Sequence, residues 1–380
     1  MIAKLPASIS TPAYVLDAAA LKRNLDTVAR IKRESGAKVL LATKAWAMPA
    51  AFPLMREVLD GTTASGEYEA RMGAEEFGKE VHVYAPAYTP GEVERLTQIA
   101  DHIYFNSPEQ IARFGPVARA SGKKIGIRIN PGYSNATLGG ALYDPCAPCS
   151  RFGTTVAEID SLPWDDGIDI LHTHALCESL ADGSSGLIEH VARTLAPYVR
   201  RVKAVNFGGG HFINKPGYDL GKLIAAIKHF RNEFSVDVIL EPGAGIVVDT
   251  GWLVSTVIGL HRNEKDIAIL DTSASCHMPD VLEVPYTPAV VGAAAPGVHR
   301  HDYILGGRTC MTGDVIGEYS FPEPLRIGSR IVFTDMMQYS FVKNTTFNGT
   351  PKPDIAILDE DGTYRVARRF GYEDFRATLG

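Results

Sequence analysis

The chain has 380 residues, 45% hydrophobic and 22% charged, which is enough apolar material for a large buried core and excludes a disordered or fibrous chain. A formal net charge of -6 argues against nucleic acid or an anionic membrane as partner, and no apolar run is long enough to cross a bilayer. Five cysteines, an odd number scattered along the chain, do not make a disulfide framework, so reduced thiols and a cytoplasmic enzyme are expected.

Ala13-Tyr14-Val15-Leu16-Asp17 reads as a strand. After it, short β-branched runs alternate with helical spacing. Strands are predicted at Val39–Thr43, Thr62–Ala64, Val81–Ala85, His102–Phe105, Ile125–Ile129, Ile168–His172, Ala204–Phe207 and Val236–Leu240. Helices with acidic, Ser or Pro starts are predicted at Met48–Leu59, Glu67–Gly78, Pro90–Gln98, Pro108–Ala120, Ser184–Tyr198 and Leu220–Glu233. This alternation predicts an α/β chain whose centre is a (β/α)8 TIM-type barrel. A doubly wound sheet is the competitor, but no Gly-x-Gly-x-x-Gly follows the first strand. After Gly245 the pattern becomes strand-like with little helix: Trp252–Leu260, Ile267–Leu270, Tyr303–Leu305, Arg330–Thr334 and Ile355–Leu358. The expected organisation is an N-terminal segment, 1–30, joining the later strands, a barrel over 31–250, and a C-terminal mostly β domain over 251–380.

In such a barrel the residues just past each strand share one mouth. Lys44 follows an apolar strand, where desolvation would favour the neutral, nucleophilic amine; the plainer alternative is a lysine snorkelling at the sheet edge. Gly208-Gly209-Gly210 lets backbone N–H groups approach an anion, and a helix beginning after it would add partial positive charge. Read alone, it is equally a flexible strand exit. Glu241, before Pro242-Gly243, could hold a protonated ring nitrogen or a substrate amine, or serve as a hydrogen-bonded structural glutamate. His172 and His174 point to the same side by the strand period. They suggest either a metal centre with Cys177 and Glu178, hence a metal-dependent hydrolase, or one ring stacked on an aromatic ligand. Cys146 and Cys149 make a lone Cys-x-x-Cys, read as a loop with free thiols. Cys310, four residues before Asp314 in a Gly-rich loop, could be a general acid beside a cation-binding carboxylate, and Tyr339 offers a hydroxyl to an anion.

Taken in order, Lys44, His174, Gly208-Gly209-Gly210, Glu241-Pro242-Gly243, the Cys310-x-x-x-Asp314 loop and Tyr339 resemble the alanine-racemase-like, fold type III pyridoxal-phosphate decarboxylases. Leu176-Cys177-Glu178, the stretch from Cys276 to Tyr286, Gly313 to Tyr319 and Val342 to Gly349 resemble the branch that decarboxylates carboxynorspermidine and carboxyspermidine. The resemblance implies pyridoxal 5'-phosphate on Lys44, His174 stacked on its ring, and Glu241 on its ring nitrogen. Gly208, Gly209, Gly210, Gly243 and Tyr339 would hold its phosphate. It further implies a homodimer with shared active sites, in which Cys310 returns a proton, and Asp280, Glu283, Asp314 and Glu241 meet the substrate's amines. The Cys276–Tyr286 stretch has no Arg or Lys and carries Asp280 and Glu283, which suits a substrate ending in ammonium and disfavours diaminopimelate. Relatives commonly have Glu-Pro-Gly-Glu where this chain has Ala244, which leaves the chain-length preference open.

Overall fold

The structure, a computed structural model, describes residues 5–6, 9–135, 144–164 and 167–380. The chain forms two compact units, Met1–Arg23 with Val247–Gly380, and Asn24–Ile246. The division falls inside helix Ala18–Ser35, earlier than residue 30, because from Asn24 onward that helix serves the barrel. The Asn24 side chain donates to the Ile246 carbonyl at 2.8 Å, and its own carbonyl accepts from Asn214.

The unit Asn24–Ile246 is a closed barrel of parallel strands: Lys38–Ala42, Gly61–Ala64, Glu80–Tyr84, His102–Phe105, Lys124–Asn130, Ile170–His172, Ala204–Asn206 and Asp237–Leu240. The last strand closes the ring on the first, with Leu240 opposite Val39. Three of the barrel helices begin where the sequence supplies a side-chain acceptor for the unpaired N–H groups of the first turn. Ser107 caps Pro108–Ala120, Asp219 caps Leu220–Phe234, and Thr89 with Glu92 forms a capping box on Pro90–Ile99. Leu40, Tyr104, Ile170, Ala204 and Ile239 meet inside the barrel. Truncating one of the larger of these, such as Ile239, to Ala would cost about 2–5 kcal/mol through the cavity left behind.

Two predicted helices are less regular than their spacing suggests. Met48–Leu59 is a 3-10 turn, Pro49–Ala51, followed by helix Phe52–Arg56, because Pro49 and Pro53 lack the N–H that a continuous helix would use. Glu67–Gly78 begins as an α-helix and ends as a π turn, Gly73–Phe77, closed by the Gly78 N–H on the Gly73 carbonyl. The wider turn accompanies full burial of Phe77 edge-on against Phe52, with centroids 5.2 Å apart.

The other unit is a mixed sheet. Its strands run in the order Val315–Phe321, His301–Gly306, Lys265–Leu270, Gly251–Asn263, Ala13–Asp17, Asp354–Leu358 and Tyr364–Arg368, and Arg330–Thr334 also pairs with Gly251–Asn263. Ala13–Asp17 lies antiparallel to Gly251–Asn263 and parallel to Asp354–Leu358. Two of these strands carry little sequence signal. Tyr364–Arg368 is an edge strand with most side chains outside, and Gly317 interrupts the alternation in Val315–Phe321. No helix among the described residues is long and apolar enough to cross a membrane.

Candidate active site

Lys44, His172, His174, Gly209 and Glu241 line one cavity at the carboxyl ends of the barrel strands, with Ala42, Thr63, Ala64, Ser65, Tyr84 and Arg128. Its empty volume, counted out to solvent, is about 330 Å³. The Lys44 side chain reaches open space inside this cavity, yet barrel walls surround it. Poor solvation therefore lowers its pKa, Arg128 lowers it further, and Glu241 and Glu69 oppose both. Glu69 also ties the first two strand exits together, accepting from the Thr43 hydroxyl at 2.9 Å and the Ser65 N–H at 2.6 Å.

His174 presents Nδ1 to the Gly209 N–H at 2.9 Å, so the proton of the neutral ring sits on Nε2. Burial, and then the charges of Lys44 and Arg128, push its pKa well below the usual histidine value. A neutral, flat imidazole is suited to lie against an aromatic ring. Gly208 and Gly210 adopt left-handed backbone (φ 66° and 84°), and Cβ atoms there would lie 2.6 Å from His174 Cβ and 2.2 Å from the Leu176 carbonyl. The turn is thus glycine for its fit around His174 as well as for any anion. Helix Leu220–Phe234 begins well beyond it, so no helix N-terminus follows the turn directly, contrary to expectation. The Gly208 N–H is taken by Asn206 and the Gly209 N–H by His174.

Glu241 is 5% exposed. Burial would raise its carboxyl, but His172 and the Asn206 side chain hold it down at about 2. Asn206 Nδ2 donates to Oε1 at 2.7 Å, and His172 Nε2 lies 3.4 Å from Oε2 without hydrogen-bond alignment. His172, His174 and Glu241 each bring a donor atom within 4.8 Å of the others, the geometry a metal would need. Cys177 and Glu178 stay outside that cluster, and the ammonium of Lys44 and the guanidinium of Arg128 already set positive charge against it.

Arg128 is a site residue that the sequence reading missed. It is 5% exposed, lies between the rings of Tyr84 and Phe152 at 4.7 and 4.5 Å, and donates to the His174 carbonyl at 3.0 Å. The available signal was one arginine inside the apolar run Ile125-Gly126-Ile127-Arg128-Ile129.

In the sheet unit, Asp280 and Glu283 share helix Asp280–Glu283 and converge on one cation, Lys343 Nζ, which lies 2.6 Å from Asp280 and closer still to Glu283. Burial would lower the Lys343 pKa, but the two carboxylates hold it raised. Cys310 is exposed, with its N–H donating to Asn348 Oδ1 at 2.8 Å. Tyr339 is 37% exposed on left-handed backbone. Asp314, expected to meet a substrate amine, is engaged within the chain. It is 4% exposed, and its oxygens accept from Ser273, Ala274, Ser275 and Thr309. Those bonds hold the loop that presents Cys310. Cys146 and Cys149 are free thiols in a turn, and burial pushes Cys146 up to about 11.

The family model described as "Pyridoxal-dependent decarboxylase, C-terminal sheet domain" matches residues 13–337. The chain belongs to the pyridoxal-dependent decarboxylases. It is 39% identical over 97% of its length to a carboxynorspermidine/carboxyspermidine decarboxylase of Campylobacter jejuni, covering 98% of that protein. It is 41% identical over 98% of its length to a carboxyaminopropylagmatine decarboxylase of Synechocystis, covering 96% of that one. Its fold is similar to the crystal structure of C. jejuni carboxynorspermidine decarboxylase complexed with norspermidine, with a TM-score of 0.90, 38% identity and coverage of 97% and 100% of the two chains.

The family's cofactor, pyridoxal phosphate, suits the cavity's donor set. A poorly solvated lysine, a neutral histidine, an ionised buried carboxylate and a glycine turn line a single space. A carbonyl, an aromatic ring, a basic ring nitrogen and a phosphate would each find a counterpart there.

Proposed function

We propose that this enzyme removes the α-carboxylate of a carboxy-polyamine, carboxynorspermidine or carboxyspermidine, as carbon dioxide, leaving norspermidine or spermidine. The observation that carries the substrate class is the acidic pair Asp280 and Glu283 gathered on one ammonium, in a stretch with no basic residue. Two carboxylates carry one charge more than the Lys343 ammonium neutralises, so a substrate's far ammonium would be favoured there over a distal carboxylate. The likeness to enzymes named for these substrates supports the same reading. Carboxyaminopropylagmatine is a second reading, favoured by the 41% identical Synechocystis enzyme. Its guanidinium end would suit the same acidic pair, and position 244, a glutamate in many relatives, is the uncharged Ala244.

Pyridoxal phosphate, when bound, supplies the electron sink for decarboxylation. Lys44 Nζ, whose pKa poor solvation and Arg128 lower, would attach it. His174 would stack on its ring, Glu241 would keep a proton on the ring nitrogen, and Gly243, Tyr339 and the Gly208–Gly210 turn would hold the phosphate. The Gly210 N–H has no partner among the described residues, unlike those of Gly208 and Gly209. Cys310 gives its thiol proton to the substrate's α-carbon, serving the second copy of a homodimer. A cytoplasmic setting would keep that exposed thiol reduced.

Reconstitution with pyridoxal phosphate, borohydride reduction and peptide mass mapping should place the label on Lys44, and Lys44→Ala should abolish it. Carbon dioxide release is then compared across carboxynorspermidine, carboxyspermidine, carboxyaminopropylagmatine and diaminopimelate. Fastest turnover of diaminopimelate would overturn the substrate assignment.

A further inference from the structure

Behind Glu241 a buried hydrogen-bond chain runs back through the barrel interior to the strand starts. Glu80 accepts from Lys38 Nζ at 2.6 Å and lies 3.3 Å from His82 Nε2. His82 Nδ1 is 2.9 Å from the Tyr104 hydroxyl, which is 3.1 Å from Asn206 Nδ2, and Asn206 Nδ2 in turn is 2.7 Å from Glu241 Oε1. His82, Tyr104 and Asn206 are each 0% exposed. Burying so many polar groups is costly unless every one is paired.

The bond directions are forced. Asn206 can only donate through Nδ2, so the Tyr104 oxygen accepts from it and gives its own proton to His82 Nδ1. With Nδ1 accepting, the His82 ring N–H lies on Nε2, facing Glu80. Burial and the charge of Glu241 keep the Tyr104 hydroxyl protonated, well above the usual tyrosine range. Asn206 Oδ1 accepts the Gly208 N–H at 2.9 Å, so all three polar bonds of that amide have assigned partners. The Tyr104 ring fits only because residue 126 is glycine, where a Cβ would lie 2.1 Å from the ring.

A metal is a poor rival occupant of the far end. Glu80, His82 and His102 do offer donor atoms within 4.8 Å of one another. The two imidazoles, however, stack at 3.8 Å and 17°, so their lone pairs lie in nearly parallel planes that cannot meet at one ion. Lys38 also already occupies Glu80.

We propose that Asn206, anchored through Tyr104, His82 and Glu80, is a positioning residue that fixes the Glu241 carboxylate and the Gly208–Gly210 turn together, keeping the carboxylate aimed at the cofactor's ring nitrogen. The inference rests on Glu241 being the partner of that nitrogen. Without the Tyr104 oxygen, one Asn206 N–H is orphaned and the amide can turn its own oxygen towards Glu241, which repels it.

The test uses the holoenzyme loaded with pyridoxal phosphate labelled with nitrogen-15 in the ring, whose chemical shift reads the ring nitrogen's protonation. Tyr104→Phe and His82→Phe keep an aromatic ring in place while cutting the chain. Each should move the shift towards the unprotonated value, and each should lower kcat about tenfold with KM held within about twofold. The double variant should be no worse than the worse single one, since both cut one chain. Unmoved shifts in both single variants, or strictly additive losses, would overturn the proposal. Glu241→Gln separates the two levels: if it leaves the shift unmoved, the Glu241 assignment itself fails. Should circular dichroism show that the aromatic variants do not fold, Glu80→Gln, at a side chain 32% exposed, is expected to give the same displacement in smaller measure. An unmoved shift there overturns the proposal equally.

Discussion

Replacing Asp314 by Asn tests whether this carboxylate holds a loop or binds substrate. Its Oδ1 accepts from the Ala274 N–H at 2.7 Å, the Ser275 N–H at 3.3 Å and the Ser273 hydroxyl at 3.0 Å. Its Oδ2 accepts from the Thr309 hydroxyl at 2.6 Å, the Thr309 N–H at 3.2 Å and the Ser273 hydroxyl at 2.9 Å. An asparagine would place its NH2 where the cost is smaller, at the Oδ2 position. There the Thr309 hydroxyl can rotate to accept, but the Thr309 N–H cannot. One buried N–H left unpaired costs about 1–3 kcal/mol, and each remaining bond weakens by about 1 kcal/mol when its acceptor loses charge. With the three bonds to Oδ1 weakened in this way, the loss is about 4–6 kcal/mol, a large part of the stability of an ordinary domain. Denaturant unfolding of Asp314→Asn should therefore show a lower midpoint. Below that midpoint KM for the polyamine should stay close to wild type, with kcat reduced because Cys310 follows Thr309. Unchanged stability with a selective rise in KM would refute this reasoning and return Asp314 to substrate binding.

Two further predictions concern the barrel mouth. Arg128→Met removes the positive charge that, after burial, most lowers the Lys44 pKa. The pH profile for covalent pyridoxal phosphate incorporation should move to higher pH, and an unmoved or lowered profile would count against the assigned electrostatics. Glu241 is an acid held at about 2 against an ordinary 4.5, by His172 and Asn206 acting against burial. An acid with a depressed folded pKa stabilises fully above its unfolded value and loses that contribution as pH falls through the folded one. The Glu241 share is thus complete above pH 4.5 and lost on the way down to about 2. Glu241→Gln should flatten that limb of the stability–pH curve measured by thermal unfolding. The same slope in both proteins would contradict the assigned coupling.

The barrel was legible because a parallel strand buried on both faces must be apolar throughout, as Val39-Leu40-Leu41 is, while the helices between need caps and amphipathic spacing. Once those strands are ordered, Lys44, His174 and Glu241 fall at one end of them. The pairing of Ala13–Asp17 with later strands was suggested by its extended, apolar character. Its two neighbours, Gly251–Asn263 and Asp354–Leu358, lie hundreds of residues away and are assigned only by the folded register. Edge strands such as Tyr364–Arg368 bury too little to leave a pattern.

The sequence by itself determined which residue types stand at the barrel's strand ends and in the acidic stretch of Asp280 and Glu283. Local periodicity and the order of motifs are properties of the chain. Only the tertiary structure decided what each polar group faces. Arg128 in an apolar run, Asn206 before three glycines and Asp314 after a cysteine look alike as isolated polar residues. Their roles follow from partners 46, 35 and 41 residues away, His174, Glu241 and Ser273. A hydrogen bond is short-ranged and directional, so it depends on distance in space and is indifferent to separation along the chain.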